Sequence, residues 1–435
     1  MGLYRRHTLA PIGIGLVAVA LADRLAFYTP TGAVLLLAGA VFLALAAIAP
    51  DPPGGEPVIY SPLLVALGLL AALTTDVPTR RDPAVIILTV SGALAFYVCT
   101  IVPWLHRARL YVAGALLIAA QAAVIVRVPS PAYQDVWRFL DYGIDGLFKG
   151  QNPYSVSTLG ADGGIFRLTY PPAALLLLAP FRLVLGDIRW GYLASQAIVV
   201  ALLPRLIRHR TGMVERWQEA LILLPLALPR ASQAFFTFSN HEWVLLALAA
   251  AALLLALDSR DLWAGVVTGL GIAAKQYFIV FPVLYLLPEL RRRTLLVALV
   301  VAAVVTLPFV AWGPSTFIEH VVGNLNSAPN TDRLTVWAML HNSGLPSGPA
   351  VSLGLAIAGA AAVVLLAWLA RRDLSRSLMA CGLGLIAFTL GATFAGYNYY
   401  VYALAFFTWG LMIPTGTNAA GDVTQAASGR LVKSD

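Results

Sequence analysis

The chain has 435 residues, 59% of them hydrophobic and only 11% charged, with a mean hydropathy of +0.80. No soluble core hides that much apolar surface, so the solvent for most of this chain is a lipid bilayer. The net charge of +8 does not point to nucleic acid, because the arginines sit in short gaps between apolar runs and not in one basic tract; two cysteines, Cys99 and Cys381, exclude a disulfide framework.

Residues 1–22 join a basic start to an apolar stretch and Ala20-Leu21-Ala22, which reads as a first span or as a cleaved signal segment. Apolar runs near 8–22, 31–50, 58–74, 84–104 and 109–126 precede a less apolar segment, 127–187. Further runs fall near 188–206, 219–238, 240–257, 261–274, 277–290, 294–312, 348–370, 374–394 and 398–414. Most have the ~20 residues that a bilayer-crossing helix needs. Outer-membrane strands would alternate every second residue, and these runs do not. The sequence therefore predicts an all-α polytopic transmembrane protein of about 14 spans. A four-helix extension occupies 1–108, a membrane core 109–414, and a disordered cytoplasmic tail 415–435.

Orientation follows from lysine and arginine. Placing both termini inside puts "HRAR" (106–109), "RLIRHR" (205–210), "RRR" (291–293) and "RRDLSR" (371–376) in small inner gaps. Two long loops, 127–187 and 313–347, then face outside. Within the first, "YPPAALLLLAPFRLVLGD" (170–187) is apolar, yet a span here would expel "RLIRHR"; it reads as a helix lying in the interface. The short runs 261–274 and 277–290 form a hairpin with Lys275-Gln276 at its outer tip.

Ionisable groups in or beside spans are costly and tend to be functional. Asp135, Asp141, Asp145, His241, Glu242, Lys275, His320, Asp332, Arg333 and His341 all fall on the outer side of this topology. That one-sidedness argues against a transporter, which needs polar groups at mid-membrane and access from both faces. A carboxylate can take a proton from a hydroxyl nucleophile, and a cation can hold an anionic leaving group. Sugar transfer from a lipid-linked phosphate needs both.

The segments "DVWRFLDYGIDGLFKGQNPY" (135–154) and "YPPAALLLLAPF" (170–181) resemble the first outer loop of GT-C glycosyltransferases. With "SNHEWVLLALAAAALLL" (239–255) and "AGVVTGLGIAAKQYFIVFPVLYLLP" (264–288), they look most like the bacterial polyprenol-phosphate-mannose-dependent mannosyltransferases, glycosyltransferase family 87. The resemblance covers about 109–414; Asn240-His241-Glu242 stands where the family often carries a Gly-Gln pair. It implies a GT-C-like fold and an inverting transfer of a sugar, mannose by family preference, from a polyprenyl-phosphate carrier to a lipid or glycan acceptor. The site would face outward from the plasma membrane. Asp135 would be the base, while Lys275 and Arg333 would contact the donor phosphate. Tyr170, His241, Glu242, His341, Tyr397 and Asn398 would line the substrate pocket. The implied partners are the donor, the acceptor and membrane lipids, with no nucleic acid, no cofactor and no metal.

Plainer readings stand beside these. Asp135 reads equally as a solvated loop carboxylate, and Lys275 as a lysine snorkelling to lipid headgroups. Glu242 with His241 reads as a local pair capping a helix, and the tyrosines at 397–402 as an aromatic belt. Asp141 and Asp145, one helical turn apart, read as a wet face more readily than as a metal site. The rival functions are a transporter or flippase of lipid-linked saccharides and a lipid-linked glycan polymerase or ligase.

Overall fold

In a bilayer every backbone N–H and C=O must be satisfied within its own segment, and the apolar runs accordingly become helices. A computed structural model describes residues 6–22, 28–49, 57, 59–74, 83–128, 135–159, 165–227, 241–276, 278, 281, 292–323, 331–370, 373–392 and 397–413. The first runs form α1 (Arg6–Ala22), α2 (Pro30–Ile48), α3 (Tyr60–Thr74), α4 (Pro83–Ile101) and α5 (Arg109–Arg127). After the outer segment come α8 (Arg189–Thr211), α9 (Arg216–Ala227), α10 (Glu242–Leu257), α11 (Asp261–Ile272) and α12 (Arg292–Trp312). Six described helices, α2, α4, α5, α8, α12 and Leu374–Gly391, are long and apolar enough to cross a membrane, and several shorter apolar ones accompany them. The protein is an all-α polytopic membrane protein. Much of the expected spans 219–238 and 277–290 lies outside the described residues, as does the tail 415–435.

Local chemistry sets the helix ends. Thr29 caps α2 by accepting from the Gly32 N–H at 2.9 Å, with Pro30 in the first turn where its missing N–H costs nothing. Gly186 and Gly212 close the helices that end at Leu185 and Thr211, each in the left-handed region, at φ 76° and 75°. Close packing depends on small residues, because lipid tails are as apolar as leucine and association rests on contact distance. On α11, Gly265 and Gly269 lie one turn apart against α12; a Cβ at Gly269 would stand 2.6 Å from the Ala298 carbonyl oxygen.

Residues 135–187 fold as a unit outside the long helices. α6 (Asp135–Phe148) is amphipathic and buries Val136, Phe139, Leu140 and Ile144, the i, i+3, i+4, i+8 pattern of one helix face. It leads to a two-stranded antiparallel hairpin, β1 (Ser157–Leu159) and β2 (Ile165–Arg167), with Ser157 opposite Arg167. α7 (Ala173–Leu185) follows and packs on α6. The hairpin is a local addition to the helical layout; its strands are too short for an alternation to register. The wet face expected at Asp141 is also corrected. Arg182 of α7 reaches across, its Nε 2.5 Å from Asp141 Oδ1 and its Nη2 3.2 Å from Asp145 Oδ2, and Asp141 is buried.

The second outer segment begins with a helical turn, Pro314–Phe317, running on as a π-helical turn, Ile318–Val322. α13 (Val336–Asn342), α14 (Pro349–Ala370), α15 (Leu374–Gly391) and α16 (Tyr397–Met412) complete the described chain. The first four helices do not stand apart. α2 packs on α15, α3 on α9 and α4 on α5. His7 and Tyr60 form an aromatic cluster with Trp217 of α9, ring centroids 5.0 and 5.9 Å from that indole.

Candidate functional site

The hairpin of α10 and α11 creates the site. The two helices pack antiparallel, so the residues opening α10 meet those following the end of α11. "NHEW" supplies His241 and Glu242 at the start, and the turn after Ile272 delivers Lys275. Glu242 Oε1 accepts from Lys275 Nζ at 2.5 Å, with both side chains at most 1% exposed. Tyr170 arrives from the outer segment, fixed from both sides. The Ala173 N–H donates to the Ala273 carbonyl at 2.8 Å, and the Tyr154 hydroxyl donates to the Tyr170 carbonyl at 2.9 Å.

Around the ion pair, aromatic rings replace water. Lys275 Nζ lies 4.5 Å from the Tyr170 ring centroid and 5.4 Å from that of Tyr399, and it donates to the Tyr170 hydroxyl at 3.4 Å. The His241 ring meets Tyr170 edge-on at 4.4 Å and is fully buried. Two charges taken out of water need each other and their surrounding dipoles; ring faces add a cation–π attraction for the ammonium. The arrangement is a buried, charge-balanced cluster in which a cation, a carboxylate, a phenol and an imidazole pack together.

The structure brings Tyr170, His241, Glu242 and Lys275 together. Lys275 is enclosed and paired with Glu242, not extended to headgroups as the snorkelling reading has it. Asp135 is the first residue of α6, and Tyr397 and Asn398 are the first of α16, but their side chains lie outside the described residues. Arg333 is half-buried in the segment before α13, where the carbonyl of its neighbour Leu334 accepts from the Tyr400 hydroxyl at 2.5 Å. His341 is exposed; it stacks on Trp337 at 5.2 Å, and its Nδ1 lies 3.1 Å from Ser347 Oγ. Tyr399, read from sequence as one of a run of tyrosines, faces Lys275.

Other polar groups have partners that the sequence reading did not give. Gln276, next to Lys275, donates to the Thr169 carbonyl at 2.8 Å and the Val321 carbonyl at 3.2 Å, tying the cluster to both outer segments. Arg167 Nη1 joins Glu319 Oε1 at 2.8 Å and lies 3.1 Å from His320 Nε2; burial and the Arg167 charge hold the His320 imidazole below its ordinary value. Arg189 grips Asp187 with Nε and Nη2 at 2.9 and 2.6 Å and donates to the Val128 carbonyl at 2.6 Å, closing the outer segment at its base. Polar residues in an apolar chain were the available signal; it named Gln276, His320 and Asp141 without pairing them and passed over Arg167 and Arg189. Asp141 is raised from 3.8 to about 6, chiefly by burial, with Arg182 pulling the other way and Asp145 and Asp187 adding to the rise. Among the described residues no three His, Cys, Asp or Glu side chains converge as a metal site.

Residues 168–333 match the model of glycosyltransferase family 87. No curated protein and no solved structure matches the chain. The matched segment holds Tyr170, His241, Glu242, Lys275 and Arg333, and it leaves Asp135, His341, Tyr397 and Asn398 on its flanks.

Proposed function

We propose that this chain, a glycosyltransferase by its family 87 segment, moves a sugar from a polyprenyl-phosphate carrier to a lipid or glycan acceptor at the outer face of the plasma membrane. Mannose is the sugar that the resemblance favours, on a GT-C-like core. One observation carries the reading: the family-matched segment folds so that Tyr170, His241, Glu242 and Lys275, far apart in sequence, meet in one buried cluster.

In the proposed step the Asp135 carboxylate takes the proton of the acceptor hydroxyl as its oxygen attacks the anomeric carbon. The bond from that carbon to the phosphate oxygen breaks, and the electron pair leaves with the polyprenyl phosphate. A single in-line displacement inverts the anomeric centre. Lys275 and Arg333 offset the charge on the departing phosphate. Because Lys275 rests against Glu242, the donor phosphate meets an ammonium already oriented, and its arrival shares that cation with the carboxylate. Tyr170, His241 and Tyr399 wall the sugar's side of the pocket, and no cofactor enters the scheme.

The test is sugar transfer by purified protein in detergent, from polyprenyl-phosphate-mannose to a membrane-lipid extract, wild type beside Asp135→Asn. Loss of a general base lowers the rate by about 100-fold or more. Transfer retained by Asp135→Asn keeps the enzyme and removes Asp135 as base. If wild type transfers no polyprenyl-phosphate sugar but moves lipid-linked saccharide across liposomes, the transporter reading replaces this one.

A further inference from the structure

A basic cavity lies at the far ends of α10 and α11 from the Glu242–Lys275 cluster, and the proposed reaction leaves it unused. α10 runs 16 residues away from Glu242, and α11 returns from Asp261. At 1.5 Å per residue the turn between them stands about 24 Å from the cluster, approaching the thickness of a hydrocarbon layer. The cavity measures about 580 Å³ and is lined by Ser259, Arg260, Asp261, Trp263, Arg293 and Val297. Ser259 turns the chain with φ 59°, in the left-handed region.

We propose that this cavity binds the headgroup of a monoanionic phospholipid, of the phosphatidylglycerol kind, in the leaflet opposite the cluster. Charge comes first: two guanidiniums against the Asp261 carboxylate leave one net positive charge, the complement of a single phosphodiester. Neither Arg260 nor Arg293 has an ion-pair partner among the described residues. Guanidinium groups present paired donors that match two phosphate oxygens. Arg260 precedes α11 and Arg293 lies in the first turn of α12, so two helix N-termini aim partial positive charge into the same space.

The rim distinguishes a lipid from a soluble anion. Trp263 is 60% exposed, and Leu262 and Leu296 are 60% and 65% exposed beside it. An indole at this depth takes the place tryptophan favours at a membrane interface, and the leucines meet acyl chains. Inorganic phosphate would use the arginines and leave that apolar rim in water. α8 brings two further arginines, Arg208 and Arg210, in its last turn, and His209 between them meets the turn itself, its Nε2 3.6 Å from Asp258 Oδ1. Basic clusters of this sort draw anionic headgroups through the leaflet's negative potential.

The experiment is native mass spectrometry of the full chain released from detergent with phosphatidylglycerol or phosphatidylcholine added, for wild type, R260Q/R293Q and R260K/R293K. Wild type retains phosphatidylglycerol over phosphatidylcholine; the glutamine pair lowers that retention about tenfold, and the lysine pair retains more than the glutamine pair. Equal retention of both lipids by wild type, or unchanged retention by the glutamine pair, overturns the proposal. Displacement of the lipid by millimolar inorganic phosphate overturns the lipid assignment in favour of a soluble anion. A second probe avoids the arginines: brominated phosphatidylglycerol quenches wild-type tryptophan emission more than that of W263F. Equal fractional quenching in the two also overturns it.

Discussion

Glu242 and Lys275 show what a buried pair implies for a single side chain. Each lies at most 1% exposed, and each charge is tolerable because the other stands 2.5 Å away. Removing one partner from such a pair costs ~3–5 kcal/mol, since the survivor is left charged in a dry site. Lys275→Met and Glu242→Gln are each expected to lower the thermal unfolding midpoint in detergent, while the double substitution recovers much of the loss. Additive losses in the double variant would show that the pair is not coupled. The sequence marked both residues, because an ionisable group in an apolar run stands out whatever its partner. It did not mark their partnership. The plainer alternatives, a snorkelling lysine and a Glu–His cap, were equally compatible with the same letters.

At the scale of elements, α6 and α7 form a pair bridged by Arg182. The amphipathic pattern of "DVWRFLDYGIDGLF" was sufficient to predict a helix, and the Asp141–Asp145 spacing to predict a shared face. What covered that face was a residue 37 positions away. The consequence is a pH dependence with a definite sign. Asp141 has a native pKa near 6 against 3.8 unfolded, so between those values the native state binds more protons than the unfolded one. Stability from this group is present below about pH 4 and declines as pH rises towards 6. Relative to Asp141→Asn, the wild type should therefore lose unfolding midpoint across that window, and parallel pH profiles of the two would refute it. The β1–β2 hairpin was illegible for a simpler reason: three-residue strands carry too little pattern to compete with the surrounding loop composition.

For the molecule as a whole, the first four helices are the clearest case of tertiary structure adding to sequence. Composition made them spans and nothing more. Folded, they cover α5, α9 and α15, with buried Arg6 reaching the Ala49 carbonyl and Tyr60 lying beside His7 and Trp217. Between helices in lipid, such contacts act by close packing and hydrogen bonding and not by hydrophobic exclusion. A chain beginning at residue 109 should then elute as aggregate or melt at a lower temperature than the full chain; a monodisperse, equally stable product would show the extension to be dispensable. By itself the sequence determined the all-α membrane class, the places of most helices and the short list of polar residues worth suspecting. Those are decided locally, by run length and by the need to satisfy each backbone group inside its own helix. Only the tertiary structure decided that Lys275 is held by Glu242, 33 residues away, and by Tyr170, 105 residues away, and that Arg182 answers Asp141. Those pairings depend on which helix faces lie against one another, a choice no local pattern encodes.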